Sequence, residues 1–155
     1  MLSIIISHYN EGKSLNKCLN FLKNKKNIKF EVIISEGKEN FKKIKKKFKF
    51  KLRQFYHKYS NNQEARKFLG YKKSRYEVVC FLDSDNFITE KNFLKHHMDA
   101  FKVSHVGYAY SKYYKYYKQD NYLNKYFALL GANDPIVWHM NKNDRYEFMS
   151  RKKNK

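Results

Sequence analysis

Short apolar runs alternate along this chain with stretches whose apolar residues recur every three or four positions. Residues 2–7, LSIIIS, form a β-branched run of the kind found in a strand buried on both faces. In residues 10–24, Leu15, Cys18, Leu19 and Leu22 fall on one stripe of an amphipathic helix. FEVIIS (30–35) is a second buried strand. ENFKKIKKKF (39–48) puts Phe41, Ile44 and Phe48 on one helical stripe and predicts a basic helix. KLRQFYH (51–57) reads as a third strand. NQEARKFLGYKKS (62–74) reads as a helix with Ala65, Phe68 and Leu69 inward, and YEVVCFL (76–82) as the fourth strand, central and buried.

Strand and helix thus alternate four times, which predicts an α/β domain with a mainly parallel sheet and flanking helices. In such sheets ligands bind outside the carboxyl ends of the strands. Three strand ends carry polar residues and are expected to line one crevice: His8-Tyr9-Asn10-Glu11, Ser35-Glu36-Gly37 and Asp83-Ser84-Asp85. Beyond Asp85, residues 89–101 predict a helix with Phe93, Leu94, His97, Met98 and Phe101 on its apolar stripe and Thr89 as its cap. Residues 106–114 alternate like a strand, and 121–131 predict an aromatic-rich helix ending at a glycine. Residues 132–148 are irregular, and 151–155 are a frayed tail.

Composition narrows this picture. A chain of 155 residues suits one domain, and 42% hydrophobic with 18% aromatic residues excludes a disordered tail. Thirty-four Lys and Arg face fourteen Asp and Glu, a formal net charge of +20. That excess points to nucleic acid, an anionic membrane surface or a phosphorylated substrate, or merely reflects the residues that AT-rich codons encode. The lysines are spread over every segment and no nucleic-acid-binding signature occurs, so no specific nucleic acid is expected. KKIKKKFKFK (42–51) is a candidate for peripheral contact with anionic lipid. Cys18 and Cys80 sit in apolar patterns and read as buried free thiols, which fits a cytoplasmic setting. No apolar run is long enough to span a bilayer, and the first ten residues read as a strand rather than a signal peptide.

The acidic pair Asp83 and Asp85 stands out against the lysine. Two carboxylates at a strand end suit Mg²⁺ or Mn²⁺, which would neutralise a leaving diphosphate; Asp-Ser-Asp-Asn also suits a simple turn. Three stretches together, LSIIISHYNEGKSLNKCLNFL, FEVIISEG and EARKFLGYKKSRYEVVCFLDSD, resemble the nucleotide-binding half of family 2 glycosyltransferases, over about residues 2–101. YFALLGANDPIVWHMNKNDR is similar to a later segment of some members. The resemblance implies the GT-A fold, with a nucleotide-sugar-binding half over 1–88 and a shortened acceptor-side half over 89–150.

It also implies roles. His8, Tyr9, Asn10 and Glu11 would pack beside the nucleotide, His8 standing where members usually have proline. Glu36 falls where an aspartate usually bonds the uracil ring, and Arg66 where an arginine lies near the nucleotide or diphosphate. Asp83, Ser84 and Asp85 would meet metal and nucleotide-sugar, with Asp85 the direct metal ligand. Asp134 is the first candidate for the carboxylate base and Asp144 the second; His139 would complete the metal shell. Trp138 and the tyrosines between 108 and 117 are candidates for stacking on an acceptor, or for core. The implied activity is metal-dependent, inverting transfer of a sugar from a nucleotide-diphosphate donor, with a UDP-sugar expected, to a glycan or lipid-linked acceptor. Seventy residues follow Asp85, fewer than is common in the family, so an inactive short form is one alternative. A basic module binding nucleic acid or membrane is another.

Overall fold

The two β-branched runs become the two inner strands of a four-stranded parallel sheet, β1 (Leu2–His8) and β2 (Phe30–Glu36). β3 (Lys51–Tyr56) and β4 (Val78–Asp83) flank them, giving the order β3-β2-β1-β4. The computed structural model describes residues 1–10, 12–25, 28–58, 62–109 and 116–130, with only the backbone of 127–130. Met1–Gly107 forms one compact unit and Tyr108–Lys155 another.

Alternation along each strand sorts the side chains onto two faces. Leu2, Ile4 and Ile6 of β1, with Val32 and Ile34 of β2, pack against Leu15, Cys18, Leu19 and Leu22 of α1 (Gly12–Lys23). Ile5 faces the other way, onto α2 (Gln63–Lys72), where a Cβ on Gly70 would come within 2.3 Å of its Cγ2. Ile4, Ile5 and Ile6 have no exposed surface. Burial of each such side chain contributes about 1.5–3 kcal/mol.

The segment 39–48 is not the helix its spacing predicts. Residues 41–48 form neither helix nor strand and return the chain from the end of β2 to the start of β3. A helix there would set Lys42 beside Lys46 and Lys43 beside Lys47, like charges at i,i+4. From Phe48 the apolar period is two instead. Phe48 and Phe50 stack at 4.8 Å, and Phe50 meets Phe30 at 5.1 Å. Ile44, Phe48 and Phe50 all cover the α1 face of the sheet.

α2 is also turned from its expected facing. Arg66 and Gly70 are its buried residues, while Phe68 is 58% exposed. Gly70 lets the helix approach Ile5, and that contact sets which side faces the sheet. β4 pairs only with β1 among the described residues and so stands at the edge of the described sheet, where a central strand is expected, and Phe81 is 54% exposed. An open hollow of about 890 Å³ lies along it, lined by Phe68, Tyr71, Val79, Phe81 and their neighbours.

After β4, α3 (Phe93–Ala100) begins four residues later than Thr89 and buries Leu94. Its N-cap is Asn92, so Thr89 does not cap it. Residues 106–109 form no strand, Val106 closing a turn onto the Val103 carbonyl instead; 110–114 lie outside the described residues. In the second unit, α4 (Tyr122–Leu130) starts behind Asn121, whose side-chain oxygen accepts from the Asn124 N–H at 2.8 Å.

Candidate functional site

The topology locates the site before any side chain is considered. From β1 to β2 to β3 the chain steps outward, with α1 and the 41–48 crossover on one face. From β3 to β4 it crosses back by α2 on the other face. The winding therefore reverses between β1 and β4, and ligands of such sheets bind at the carboxyl ends beside that reversal.

On the α2 side of this rim, the first two turns of α2 reach the ends of both strands. Asn62 caps the helix, its Oδ1 accepting from the Ala65 N–H at 2.9 Å. Arg66 Nε donates to Ser7 Oγ at 2.9 Å, and its guanidinium lies 5.7 Å from the Tyr9 ring centroid. Gln63 Nε2 donates to Asp83 Oδ1 at 2.9 Å, and Lys67 Nζ stands 3.6 Å from the same oxygen. Ser84 is buried, and Asn86 N–H closes a turn onto the Asp83 carbonyl at 3.0 Å. Asp85 is exposed, and among the described residues no side chain bonds its carboxylate. The acidic pair is thus both a turn and a presented carboxylate.

A second network occupies the opposite face. His8 and Glu36 are register partners, and His8 Nδ1 meets Glu36 Oε2 at 2.6 Å. Gln54 Nε2 donates to Glu36 Oε1 at 2.9 Å, while its own Oε1 accepts from the Ile44 N–H at 2.8 Å. Glu36 is 1% exposed, so both its oxygens are committed inside the protein. Glycine N–H at 37 donates to the His8 carbonyl at 2.9 Å and fixes the two strand ends together.

Serine 7 and His8 are consecutive and point to opposite faces, so the expected residues divide. Tyr9, Arg66 and Asp83 fall on the α2 side; His8 and Glu36 fall on the α1 side. Asn10 takes a left-handed backbone conformation, φ 60°, which asparagine tolerates, and turns the chain from β1 into α1. Glu11, Asp134, His139, Asp144 and Trp138 lie outside the described residues. No group of three or more His, Cys, Asp or Glu side chains stands ready to hold a metal among the described residues.

Gln63, Lys67 and Gln54 were not among the expected site residues. Gln63 and Lys67 flank Arg66 at the start of a helix that follows a strand, a position that helix N-termini give to anions. Gln54 alternates out of an edge strand, and no local pattern marks it. The two thiols take no part: burial, with smaller contributions from Asp85 and Cys80, pushes Cys18 up to about 12, and burial pushes Cys80 up to about 11.

A doubly wound parallel sheet that brings Arg66, Lys67 and Asp83 together at its reversal point has the form of a ligand-binding α/β domain. The model of the family described as "Glycosyl transferase family 2" matches residues 3–154, and the chain belongs to that family. Among solved structures, S. aureus TarS 1-349 is similar, with 21% identity and a TM-score of 0.55 over 74% of this chain and 40% of that one. The same fragment in complex with UDP gives 18% identity and 0.54, and in complex with UDP-GlcNAc 19% and 0.52. The chain spans 39% and 38% of those two solved chains. No curated protein matches it.

Proposed function

We propose that this chain transfers a sugar from a UDP-sugar to a glycan or lipid-linked acceptor. The observation that carries the reading is the meeting of Gln63, Arg66 and Lys67 with Ser7, Tyr9 and Asp83 where the winding reverses. Arg66 and Lys67 supply positive charge for a diphosphate, and the first-turn N–H groups of α1 and α2 point to the same rim. Binding of UDP and UDP-GlcNAc by the TarS fragment supports a uridine donor.

The donor set suits Mg²⁺ or Mn²⁺. Asp85 is an exposed carboxylate, and such ions take one or two carboxylates together with substrate phosphates. A bound cation there would stabilise the charge on the departing diphosphate. Asp83 acts chiefly as an anchor, since Gln63 and Lys67 already hold one of its oxygens. Glu36 reads the base indirectly, by fixing His8 at the strand end. Transfer requires a carboxylate to take the acceptor hydroxyl proton as that oxygen bonds the anomeric carbon and the diphosphate leaves with the electron pair of the broken C–O bond. Asp134 is the first choice for that base and Asp144 the second; inversion at the anomeric carbon follows from a single displacement.

Calorimetric titration of UDP with and without Mn²⁺ tests the reading. Arg66→Gln is expected to weaken UDP about tenfold to a hundredfold, the cost of losing a charged hydrogen bond. Asp85→Asn is expected to abolish the Mn²⁺ dependence while Asp83→Asn lowers affinity with or without metal. Binding that is absent, or unchanged in an Asp83→Ala, Asp85→Ala double variant, refutes it.

A further inference from the structure

Folding sorts the lysines that looks scattered in sequence. The α1 face of the first unit is covered by α1 and by the 41–50 crossover, joined where Lys46 Nζ donates to Asn20 Oδ1 at 2.8 Å. From residue 12 to residue 30 there is no Asp or Glu, and from 40 to 63 there is none either. The two glutamates between them that lie in β2, Glu31 and Glu36, are buried and bonded inside; only Glu39 is exposed, at the rim. All seven lysines between residues 42 and 51 are exposed, as are Lys13, Lys17 and Lys23 of α1.

The crossover arranges this charge by which of its side chains it seats on the core. With Ile44, Phe48 and Phe50 turned to the sheet, the intervening lysines are left on the solvent side. The flank of α1 away from the crossover is where acid returns, with Glu90 beside His96 at 3.1 Å. The cationic surface therefore has an edge on this face of the first unit.

We propose that this face docks the protein on a bilayer containing anionic lipid. The chemistry of the patch selects that partner. It is all lysine, a hydrated point charge suited to a diffuse field of headgroups, with no arginine fork for phosphate or base edges. Between residues 12 and 56 only Tyr56, at the end of β3, is an exposed large hydrophobic side chain among the described residues, so no row of aromatics for stacked bases is presented. Contact is electrostatic and without insertion, in keeping with the absence of any helix long and apolar enough to cross a membrane among the described residues. The anionic leaflet facing the cytoplasm is the natural surface for it. The inference rests on the charge and burial of this face and stands apart from the transfer reaction.

Co-sedimentation of the full chain with phosphatidylcholine vesicles, with and without phosphatidylglycerol, tests it. Binding is expected only with phosphatidylglycerol and is expected to fall as salt rises. A variant with Lys43, Lys45, Lys47 and Lys49 all changed to Gln is expected to lose about a hundredfold or more in partitioning. A control with Lys58, Lys72, Lys73 and Lys102 changed to Gln has the same net charge and is expected to stay within about threefold of the parent, if the face rather than the total charge binds. Equal loss in both variants overturns the proposal, as does binding indifferent to phosphatidylglycerol. Crossover-dependent binding to duplex DNA or RNA that exceeds vesicle binding at the same salt also overturns it. Unchanged melting of both variants excludes misfolding, and unchanged UDP titration in the crossover variant separates docking from donor binding.

Discussion

Glu31 and Glu36 stand five residues apart on β2, at opposite ends and on opposite faces, and both are 1% exposed. At the end away from the site, Glu31 accepts from Ser3 Oγ at 2.9 Å, the Arg75 N–H at 3.0 Å and Arg53 Nη2 at 2.9 Å. Burial pushes its carboxyl up, but the bonds from Ser3, Arg75 and Arg53 prevail and hold it below the ordinary value. A carboxylate whose folded value is depressed stabilises the fold fully above its unfolded value, near pH 4.3, and loses that contribution as pH falls through the folded value. Stability should therefore be flat toward neutral pH and fall in acid. Glu31→Gln is expected to cost about 3 kcal/mol, because Arg53 is left largely buried without its counter-charge. Urea unfolding at pH 7 and pH 4 checks both statements: the deficit of the variant should shrink at the lower pH. The sequence marks Glu36 as a strand-end residue but offers no role for Glu31. Both are acids in a buried strand, and only the partners brought by β1, β3 and the α2–β4 turn distinguish a structural clamp from a neighbour of the site.

At the level of elements, the inner strands were legible because they are apolar on both faces, and α1 because its stripe is unbroken. α2 and the 41–48 crossover were misread for one shared reason. Each contains apolar residues at helical spacing, but their packing is decided by a contact distant in sequence. For α2 that contact is Gly70 against Ile5. Gly70→Ala gains about 1 kcal/mol of helix propensity yet is expected to lower stability by about 1–2 kcal/mol net, since Ile5 has no room to move. Thermal melts of Gly70→Ala made alone and on an Ile5→Ala background should show the penalty disappearing in the second case. The alternation of Phe48 and Phe50 was visible in the sequence, but the lysines beside them disguised a period of two as part of a longer helical stripe. Of the site, the strand ends were readable as polar residues closing apolar runs. Their division between two faces was not, because it depends on register. Gln63 and Lys67 acquire meaning only once α2 is seen to start at the winding reversal.

For the molecule as a whole, the sum of charge was evident and its placement was not. A sequence reports thirty-four basic residues; the fold decides that one face of the first unit carries no exposed acid between its helix and its crossover. The two thiols, Cys18 buried and Cys80 half-buried rather than buried as expected, offer a probe at this scale. Cys18 has 1% of its surface exposed, and both groups are held as neutral thiols at physiological pH. Alkylation at pH 8 is expected to be slow in the folded protein and to accelerate with urea in step with loss of structure. Rapid modification of either cysteine without denaturant would contradict the packing of the α1 face. The crossover from β2 to β3 bears on how such proteins diversify. A helical connection must change by whole turns to keep its apolar side aimed at the sheet. A non-helical one need only keep Ile44, Phe48 and Phe50 seated, so residues between them can be gained, lost or recharged for little more than the entropy of a longer loop. The part of the protein that carries its surface charge is thus the part that natural variation can re-cut most freely without disturbing the core or the rim where the donor would sit.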